Sequence, residues 1–147
     1  QKIDQWQDGY PEGQDLANDI KANISYVLVI DGKVAGTAAL HAGIDPNYLE
    51  IHKGKWQTGI LARYTAIHRI AMSKDFRGQH LSQKLISGLL TISTVLGYYD
   101  VRIDTHPANK GMQRVITENG FTKCGEVYME HNGKDSGLRY AYELQIK

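Results

Sequence analysis

The residues best suited to chemistry lie in a short segment that precedes a long helical pattern. In order they are Arg77, Gly78, Gln79, His80, Leu81 and Ser82. Backbone N–H groups at the start of a helix lack intrahelical partners and, with the helix dipole, form an anion site. Arg77 adds a forked donor suited to phosphate oxygens, and Gly78 permits tight backbone geometry. The segment indicates a phosphate-binding loop, and the alternative is an ordinary turn with an exposed arginine.

Two histidines are candidates for proton transfer, because an imidazole with an ordinary pKa of about 6.5 exchanges protons near neutral pH. His68 lies within an apolar strand pattern, where the alternative is a hydrogen-bonded core histidine. His106 follows Asp104 and Thr105 at the end of the next strand pattern. Asp-x-His could also indicate a metal, but no third ligand has a recognisable spacing and Cys124 is the one cysteine. We therefore expect no metal.

A strand, a helix and a second strand must position these residues. The first strand is expected from Arg63 to Ser73, with apolar residues on both faces. By simple alternation, one of its faces would carry Tyr64, Ala66, His68, Ile70 and Met72. Apolar residues then recur at helical spacing from Leu81 until Gly97 ends the pattern. The second strand is Asp100–Thr105, so a right-handed parallel crossover is predicted.

The remaining patterns complete a mixed α/β sheet. Asp31-Gly32 between the apolar runs 25–30 and 33–40 predicts a hairpin. Helices are expected from Pro11 to Lys21 and from Ala108 to Asn119, and further strands over 121–128 and 138–146. The irregular stretch 41–61 is long for a plain connection, which is typical of a binding loop.

Composition restricts the class of protein. The chain has 147 residues, of which 41% are hydrophobic and 22% charged, as in one ordinary globular domain. A formal net charge of +1 argues against a nucleic-acid partner. The single cysteine allows no intrachain disulfide, which fits a reducing cytoplasm. We expect no membrane partner, because no apolar run approaches the roughly 20 residues of a membrane span and no signal-peptide pattern opens the chain.

Residues 77–82 resemble the pyrophosphate loop of the GNAT N-acetyltransferases, whose pattern is Q/R-x-x-G-x-G/A between a long strand and a long helix. Arg77 matches this pattern, whereas His80 replaces its central glycine and Ser82 its last glycine or alanine. The strand before the loop and the strand Asp100–Thr105 resemble the family's fourth and fifth strands. The stretch from Asn109 to Gly120-Phe121 fits the spacing of the family's pattern N-x-x-A-x-x-L-Y-x-x-x-G-F in the helix that follows.

The resemblance covers almost the whole chain and implies one GNAT domain over residues 1–147. The family's first strand and most of its first helix have no counterpart, which would expose a sheet edge and permit a homodimer. The implied α/β (α+β) fold is a mixed, mostly antiparallel sheet with helices on both faces. Its parallel strands, from Arg63 to Ser73 and Asp100–Thr105, would splay apart.

The resemblance also implies that acetyl-CoA binds between the splayed strands, with its pantetheine arm on the exposed strand edge. The expected cofactor-binding residues are Ile70, Ala71, Met72, Arg77, Gly78, Gln79, His80, Leu81, Ser82 and Asn109. Asn109 could equally be a helix N-cap. The acceptor is expected between the stretch from Gly9 to Pro11 and the stretch from Ile44 to Gly59. Tyr48, His52 and Trp56 of the second stretch could line its pocket, although packing against the sheet is the favoured interpretation for Trp56.

The implied activity is transfer of an acetyl group from acetyl-CoA to a primary amine of a small molecule or peptide by direct attack. Ala66 stands where the family has its usual glutamate base, and Ile116 where it has its usual tyrosine acid. We therefore expect His68 and His106 to be the catalytic residues. The acid stays open among unaided departure of the thiolate, Tyr142 and His106. An acyl-CoA-binding module without turnover is the alternative function.

Overall fold

The computed structural model describes residues 25–76, 80–129 and 137–147. A six-stranded sheet forms its centre, in the order β1-β2-β3-β4-β6-β5. The strands are β1 Ser25–Ile30, β2 Lys33–Ala42, β3 Thr65–Met72, β4 Asp100–Thr105, β5 Thr122–Tyr128 and β6 Leu138–Gln145. Strands β3 and β4 are parallel, and the other paired strands are antiparallel. The expected mixed, mostly antiparallel sheet is confirmed.

The hairpin between β1 and β2 forms where the Asp-Gly pair predicted it. Asp31 and Gly32 both have positive φ, 51° and 78°. Two successive positive φ values are characteristic of a type I′ turn, whose twist matches that of the two strands in a hairpin with a two-residue loop. The sequence therefore determines the register of this hairpin locally.

Two helices, α1 Leu81–Val95 and α2 Lys110–Glu118, pack on one face of the sheet. Their apolar residues form one core with the sheet, which includes Leu85, Ile86, Leu89, Ile103, Ile116 and Tyr142. Within the described part of the chain, neither helix has the length and apolar character needed to cross a membrane. The helix expected from Pro11 to Lys21 lies outside the described residues, so helices on both faces stay a prediction.

The opposite face of the sheet is covered by residues 43–64, which we call the covering loop. Its short 3-10 turn Pro46–Tyr48 and its buried aromatic side chains pack on the sheet. The buried residues of this second core are Tyr48, Trp56, Tyr64, Ala66, Val127 and Ala141. Trp56 is buried and donates its indole N–H to the Tyr48 carbonyl oxygen at 2.9 Å, which confirms that it packs the loop onto the sheet.

A bulge in β3 changes which residues share a face. On β2, Ala39 lies opposite His68 and Thr37 opposite Ala71, so β3 contains one extra residue. Arg69, inside the bulge, has a φ of 54°. Beyond it, Ile70 and Met72 pack against the helix-side core, whereas Ala66 and His68 face the covering loop. The prediction that one face of this strand carries both His68 and the residues Ile70 and Met72 is therefore wrong.

The parallel pair opens at its carboxyl end. The pairing of β3 with β4 begins with Thr65 opposite Val101 and ends with Ile67 opposite Ile103. Both strands continue beyond that point, β3 to Met72 and β4 to Thr105. The expected splayed pair is confirmed, and the opening begins one residue before the bulge in β3.

Candidate active site

The site lies at the opening between β3 and β4, on the face that the covering loop packs against. Strand β3 contributes His68 and strand β4 contributes Asp104, while the covering loop contributes Asp45 and Tyr48. Helix α1 begins shortly after β3 and α2 shortly after β4. Because β3 and β4 are parallel, the residues that follow both strands lie at the same edge of the sheet.

His68 makes a short polar contact with the covering-loop residue Asp45. Its Nε2 lies 2.6 Å from Oδ2 of Asp45, and the two side chains are 21% and 9% exposed. Burial alone would raise the pKa of Asp45, but the hydrogen bond and charge of His68 outweigh it and keep that pKa below its usual value. Asp45 is therefore a carboxylate that accepts the Nε2 proton, which leaves the imidazole lone pair on Nδ1.

The chain around Asp45 fixes its orientation. Its Oδ1 accepts the N–H of Asn47 at 2.9 Å, which caps the 3-10 turn that begins at Pro46. Its own N–H donates to the hydroxyl of Tyr64 at 2.7 Å. Both carboxylate oxygens of Asp45 thus have partners, so the side chain can orient the His68 ring.

Tyr48 links the covering loop to β4. Its hydroxyl donates to Oδ2 of Asp104 at 2.6 Å, and its ring centre lies 5.9 Å from that of His68 and 5.0 Å from that of Trp56. Burial, and then the negative charge of Asp104, raise the pKa of Tyr48 well above its usual value. Burial also raises the pKa of Asp104, although the Tyr48 hydrogen bond opposes this. The tyrosine therefore remains a donor and holds the carboxylate.

A second charged cluster lies at the paired end of the same two strands. Arg102 is fully buried, with its guanidinium carbon 3.9 Å from the ring centre of Tyr64 and 4.3 Å from that of Trp56. Its Nη2 lies 3.5 Å from Oε2 of Glu143 and 3.9 Å from Oδ2 of Asp100. Burial, and then the Glu143 carboxylate, raise the pKa of Asp100 to about 7, whereas the pKa of Glu143 is lowered. Arg102 thus balances the Glu143 carboxylate, while Asp100 is mostly protonated at pH values below about 7.

The start of α1 explains why glycine is the usual residue in the loop pattern. His80 has φ 56° and ψ 28°, the left-handed conformation that glycine adopts without strain. Its side chain is exposed and does not cap the helix. The first-turn N–H groups of α1 thus donate no hydrogen bond to this side chain. Arg77, Gly78 and Gln79 lie outside the described residues.

The other sequence candidates occupy distinct places. His106 is exposed just after β4, and its Nδ1 accepts the N–H of Ala108 at 3.0 Å. Asn109 accepts the N–H of Met112 at 3.0 Å, so it is the N-cap of α2. Tyr142 lies in the helix-side core, on the face of β6 opposite to the covering loop. Among the residues described, no three His, Cys, Asp or Glu side chains come together as a metal site would require.

Sequence reasoning missed the role of Asp45 and the link between Tyr48 and Asp104. Asp45 precedes Pro46, a common arrangement at the start of a helical turn, and this signal could have identified it as an ordered residue. Asp100, Arg102 and Asp104 alternate along β4, which lies inside the sheet between β3 and β6, where unpaired charges are costly. That pattern could have predicted polar partners in the long loop.

Comparison with known proteins identifies the family of the chain. The family model described as the acetyltransferase (GNAT) family matches residues 2–121, and no curated protein matches the chain. A GNAT acetyltransferase structure from Streptococcus agalactiae 2603 is 35% identical, with a TM-score of 0.81 over 96% of this chain and 76% of that chain.

Two more distant structures share the fold alone. A GNAT acetyltransferase from Elizabethkingia anophelis, solved with acetyl-CoA bound, is 14% identical, with a TM-score of 0.66 over 93% of this chain and 85% of that chain. One from Listeria monocytogenes 4b F2365 is 18% identical, with a TM-score of 0.66 over 92% of this chain and 72% of that chain. Because the family model and the streptococcal structure each match most of its length, the chain belongs to the GNAT family of acetyltransferases.

Proposed function

We propose that the chain is an acetyl-CoA-dependent N-acetyltransferase whose acceptor is a primary amine of a small molecule or peptide. The observation that carries this proposal is the His68–Asp45 pair beside the opening of β3 and β4. His68 is the first residue of β3 beyond the paired register, and its Nδ1 lone pair is available as a base. The family's usual glutamate position is taken by Ala66, two residues earlier on the same face.

Acetyl-CoA would bind where the two parallel strands separate. The β3 edge at Ile70, Ala71 and Met72 has no β4 partner in the described register, so its backbone can hydrogen-bond a pantetheine arm as an added strand would. The pyrophosphate would meet the first-turn amides of α1, at His80, Leu81 and Ser82, together with Arg77, Gly78 and Gln79. Asn109 would face the same arm from the start of α2. The relative from Elizabethkingia anophelis was solved with acetyl-CoA bound, which supports this ligand.

Proton transfer is the main chemical requirement. An alkyl amine has a pKa near ~10, so an acceptor must lose a proton before its lone pair attacks the thioester carbon. His68 takes that proton on Nδ1, directly or through a water, while Asp45 stabilises the imidazolium through Nε2. The new C–N bond forms as the C–S bond breaks, and the thiolate leaves with the bonding electrons.

The leaving group needs less help than the nucleophile. A thiol has a pKa of about 8.5, so the thiolate can depart and take a proton from water. His106 follows β4 and remains the second candidate for proton transfer at this edge of the sheet. No tyrosine lies on α2, and Ile116 at the family's usual position is buried in the helix-side core.

Release of free thiol from acetyl-CoA over a panel of amines tests the function. We expect turnover on at least one primary amine, and a fall of about 10²- to 10⁴-fold in kcat for His68→Gln. Acetyl-CoA affinity of this variant, measured by titration calorimetry, should stay unchanged. His52→Gln is the matched control. Although the sequence made His52 a candidate for the acceptor pocket, its backbone pairs with Glu126 of β5 and its ring contacts Tyr128, with β6 between β5 and the strand β4 of the opening.

Two outcomes would contradict the proposal. Acetyl-CoA binding without turnover on any amine would favour the acyl-CoA-binding module instead. Full activity of His68→Gln would remove this histidine as the base, and the same assay on His106→Gln would then test the second candidate.

A further inference from the structure

The two strands place one titratable side chain each at the mouth of the opening. Ile67 and Ile103 form the last pair of the register, so His68 and Asp104 are the next residues on β3 and β4. Both side chains face the covering loop, where His68 contacts Asp45 and Asp104 contacts Tyr48. The Tyr48 ring lies beside His68 while its hydroxyl holds Asp104. A single molecule in this space would therefore meet both side chains.

One oxygen of Asp104 is available to such a molecule. Oδ2 accepts the Tyr48 hydroxyl, and within the described residues Oδ1 receives no hydrogen bond. Oδ1 is not buried, and the Asp104 side chain as a whole is partly exposed. Solvent or a ligand can thus reach Oδ1. The positive charge of Arg139 acts on Asp104, and the Arg139 Nη1 donates to the Leu138 carbonyl.

We propose that Asp104 binds the ammonium group of the acceptor through Oδ1, so that the preferred acceptors are primary alkyl amines that are cationic at neutral pH. This inference rests on the proposed N-acetyltransferase function and names its substrate class. Asp104 is a specificity-determining residue here, and His68 remains the base.

The chemistry of the pair favours a cation. Burial raises the pKa of Asp104, so this carboxylate lacks the hydration it would have in water and gains from a cationic partner. The bound ammonium gives one proton to Nδ1 of His68, and the neutral amine then attacks the thioester carbon. The C–N bond forms, the C–S bond breaks, a second amine proton goes to solvent and the thiolate is protonated. Aryl amines are neutral near pH 7, so they do not gain from this contact.

Asp104→Asn tests the inference, because asparagine keeps the size and an oxygen acceptor for Tyr48 while removing the charge. Steady-state kinetics at pH 7.5 would use butylamine and phenethylamine as cationic acceptors and 4-methylaniline as the neutral one. We expect KM for both alkyl amines to rise about 10- to 100-fold, as loss of a charge-assisted hydrogen bond implies. KM for 4-methylaniline and for acetyl-CoA should change less than about threefold. Glu50→Gln removes an exposed carboxylate of the covering loop and is the control for net charge.

An equal rise for the neutral and cationic acceptors, or no rise for either, would overturn the inference. If the wild-type protein turns over no amine, titration of butylamine into the CoA-loaded protein tests the same contact. Binding that weakens about tenfold or more in Asp104→Asn would support the carboxylate as an ammonium site. Equal affinity in both proteins, or no binding to the wild type, would contradict it.

Discussion

Strand β4 carries charged residues at both of its ends, and the two ends differ in how those charges are used. At the paired end, Arg102 is enclosed by two aromatic rings and lies near the carboxylates of Asp100 and Glu143. At the open end, Asp104 and His68 each have one covering-loop partner and one nitrogen or oxygen that remains available. The difference follows from the pairing between β3 and β4, which is present at one end and stops before the other.

Both clusters hold the same covering loop. At the paired end, Arg102 donates to the carbonyl of Gly59 at 2.6 Å and to the hydroxyl of Thr58 at 2.9 Å, and Glu143 accepts the N–H of Gln57 at 2.7 Å. At the open end, Asp45 and Tyr48 come from the earlier part of that loop. The buried cluster therefore anchors the later part of the same loop that carries Asp45 and Tyr48 at the open end.

The largest expected effect comes from removing the buried cation. Arg102→Met leaves the Asp100–Glu143 pair without its cation and breaks two bonds to the covering loop. Loss of one partner of a buried ion pair costs about 3–5 kcal/mol of the free energy of unfolding. Urea denaturation measures this loss. A change under about 1 kcal/mol would show that the cluster does not anchor the loop.

A second substitution sharpens that result. Glu143→Gln in the Arg102→Met background removes the remaining carboxylate charge, so we expect it to recover part of the lost stability. If the double variant is less stable than Arg102→Met, the uncompensated carboxylate is not the cause of the loss.

The next effect concerns catalysis at the open end. Asp45→Asn offers an amide in place of the carboxylate that fixes the His68 tautomer, so we expect kcat to fall about 10- to 100-fold. KM for acetyl-CoA and the urea midpoint should change little, and thiol release measures the loss. Asn47→Ala is the control, because it keeps the backbone N–H that Asp45 accepts. Wild-type kcat in Asp45→Asn would mean that the carboxylate does not orient the base.

Asp100 should give a pH dependence of stability. Its pKa is about 7 in the folded protein against 3.8 as the ordinary value, so between these values the folded state binds a proton that the unfolded state has lost. Stability from this group is therefore present at low pH and declines as pH rises toward 7. Glu143 has a lowered pKa, so the stability that its carboxylate contributes is present above its ordinary pKa of 4.5 and is lost as the pH falls below that value.

Asp100→Asn resembles the protonated side chain and cannot titrate. Its free energy of unfolding should match that of the wild type near pH 3, below the ordinary value of 3.8, and exceed it near pH 8. The difference should grow by at most about 1.4 kcal/mol for each pH unit. Urea denaturation at both pH values measures it, and a difference that stays constant or shrinks with rising pH would contradict the raised pKa of Asp100.

The smallest effect lies at the start of α1. His80 has a left-handed backbone, so His80→Gly relieves strain and should stabilise the protein by about 1 kcal/mol. Lys84→Gly, at an exposed right-handed position of the same helix, should instead cost about 1 kcal/mol. Thermal unfolding compares the two, and a destabilising His80→Gly would contradict the strained conformation.

Local signals predicted most of the elements because they act over a few residues. The Asp-Gly hairpin, the α1 periodicity that ends at Gly97 and the strand Asp100–Thr105 appear as expected. Each depends on backbone preference or apolar spacing that neighbouring residues specify. The resemblance to the family further predicted that β3 and β4 splay apart, and it identified His80 as the residue that replaces the central glycine of the loop pattern.

The site itself was only partly predictable, because its contacts are long-range. His68 was a candidate from its residue type, but its partner Asp45 is 23 residues away and Asp104 is 56 residues from Tyr48. The bulge at Arg69 also could not be seen in the alternating pattern, and it places Ile70 on the other face from His68. Such pairings depend on how the covering loop folds back, which spacing alone does not specify.

A crystal structure of the chain with acetyl-CoA would test the central claim most directly, namely that the opening beyond Ile67 and Ile103 is the catalytic cleft. We predict the pantetheine arm along the β3 edge at Ile70 to Met72, and the thioester beside His68. An amine at attack distance from the thioester carbon should then reach Nδ1 directly or through one water. Acetyl-CoA bound elsewhere, or a thioester with the His68 ring turned away from it, would contradict the claim.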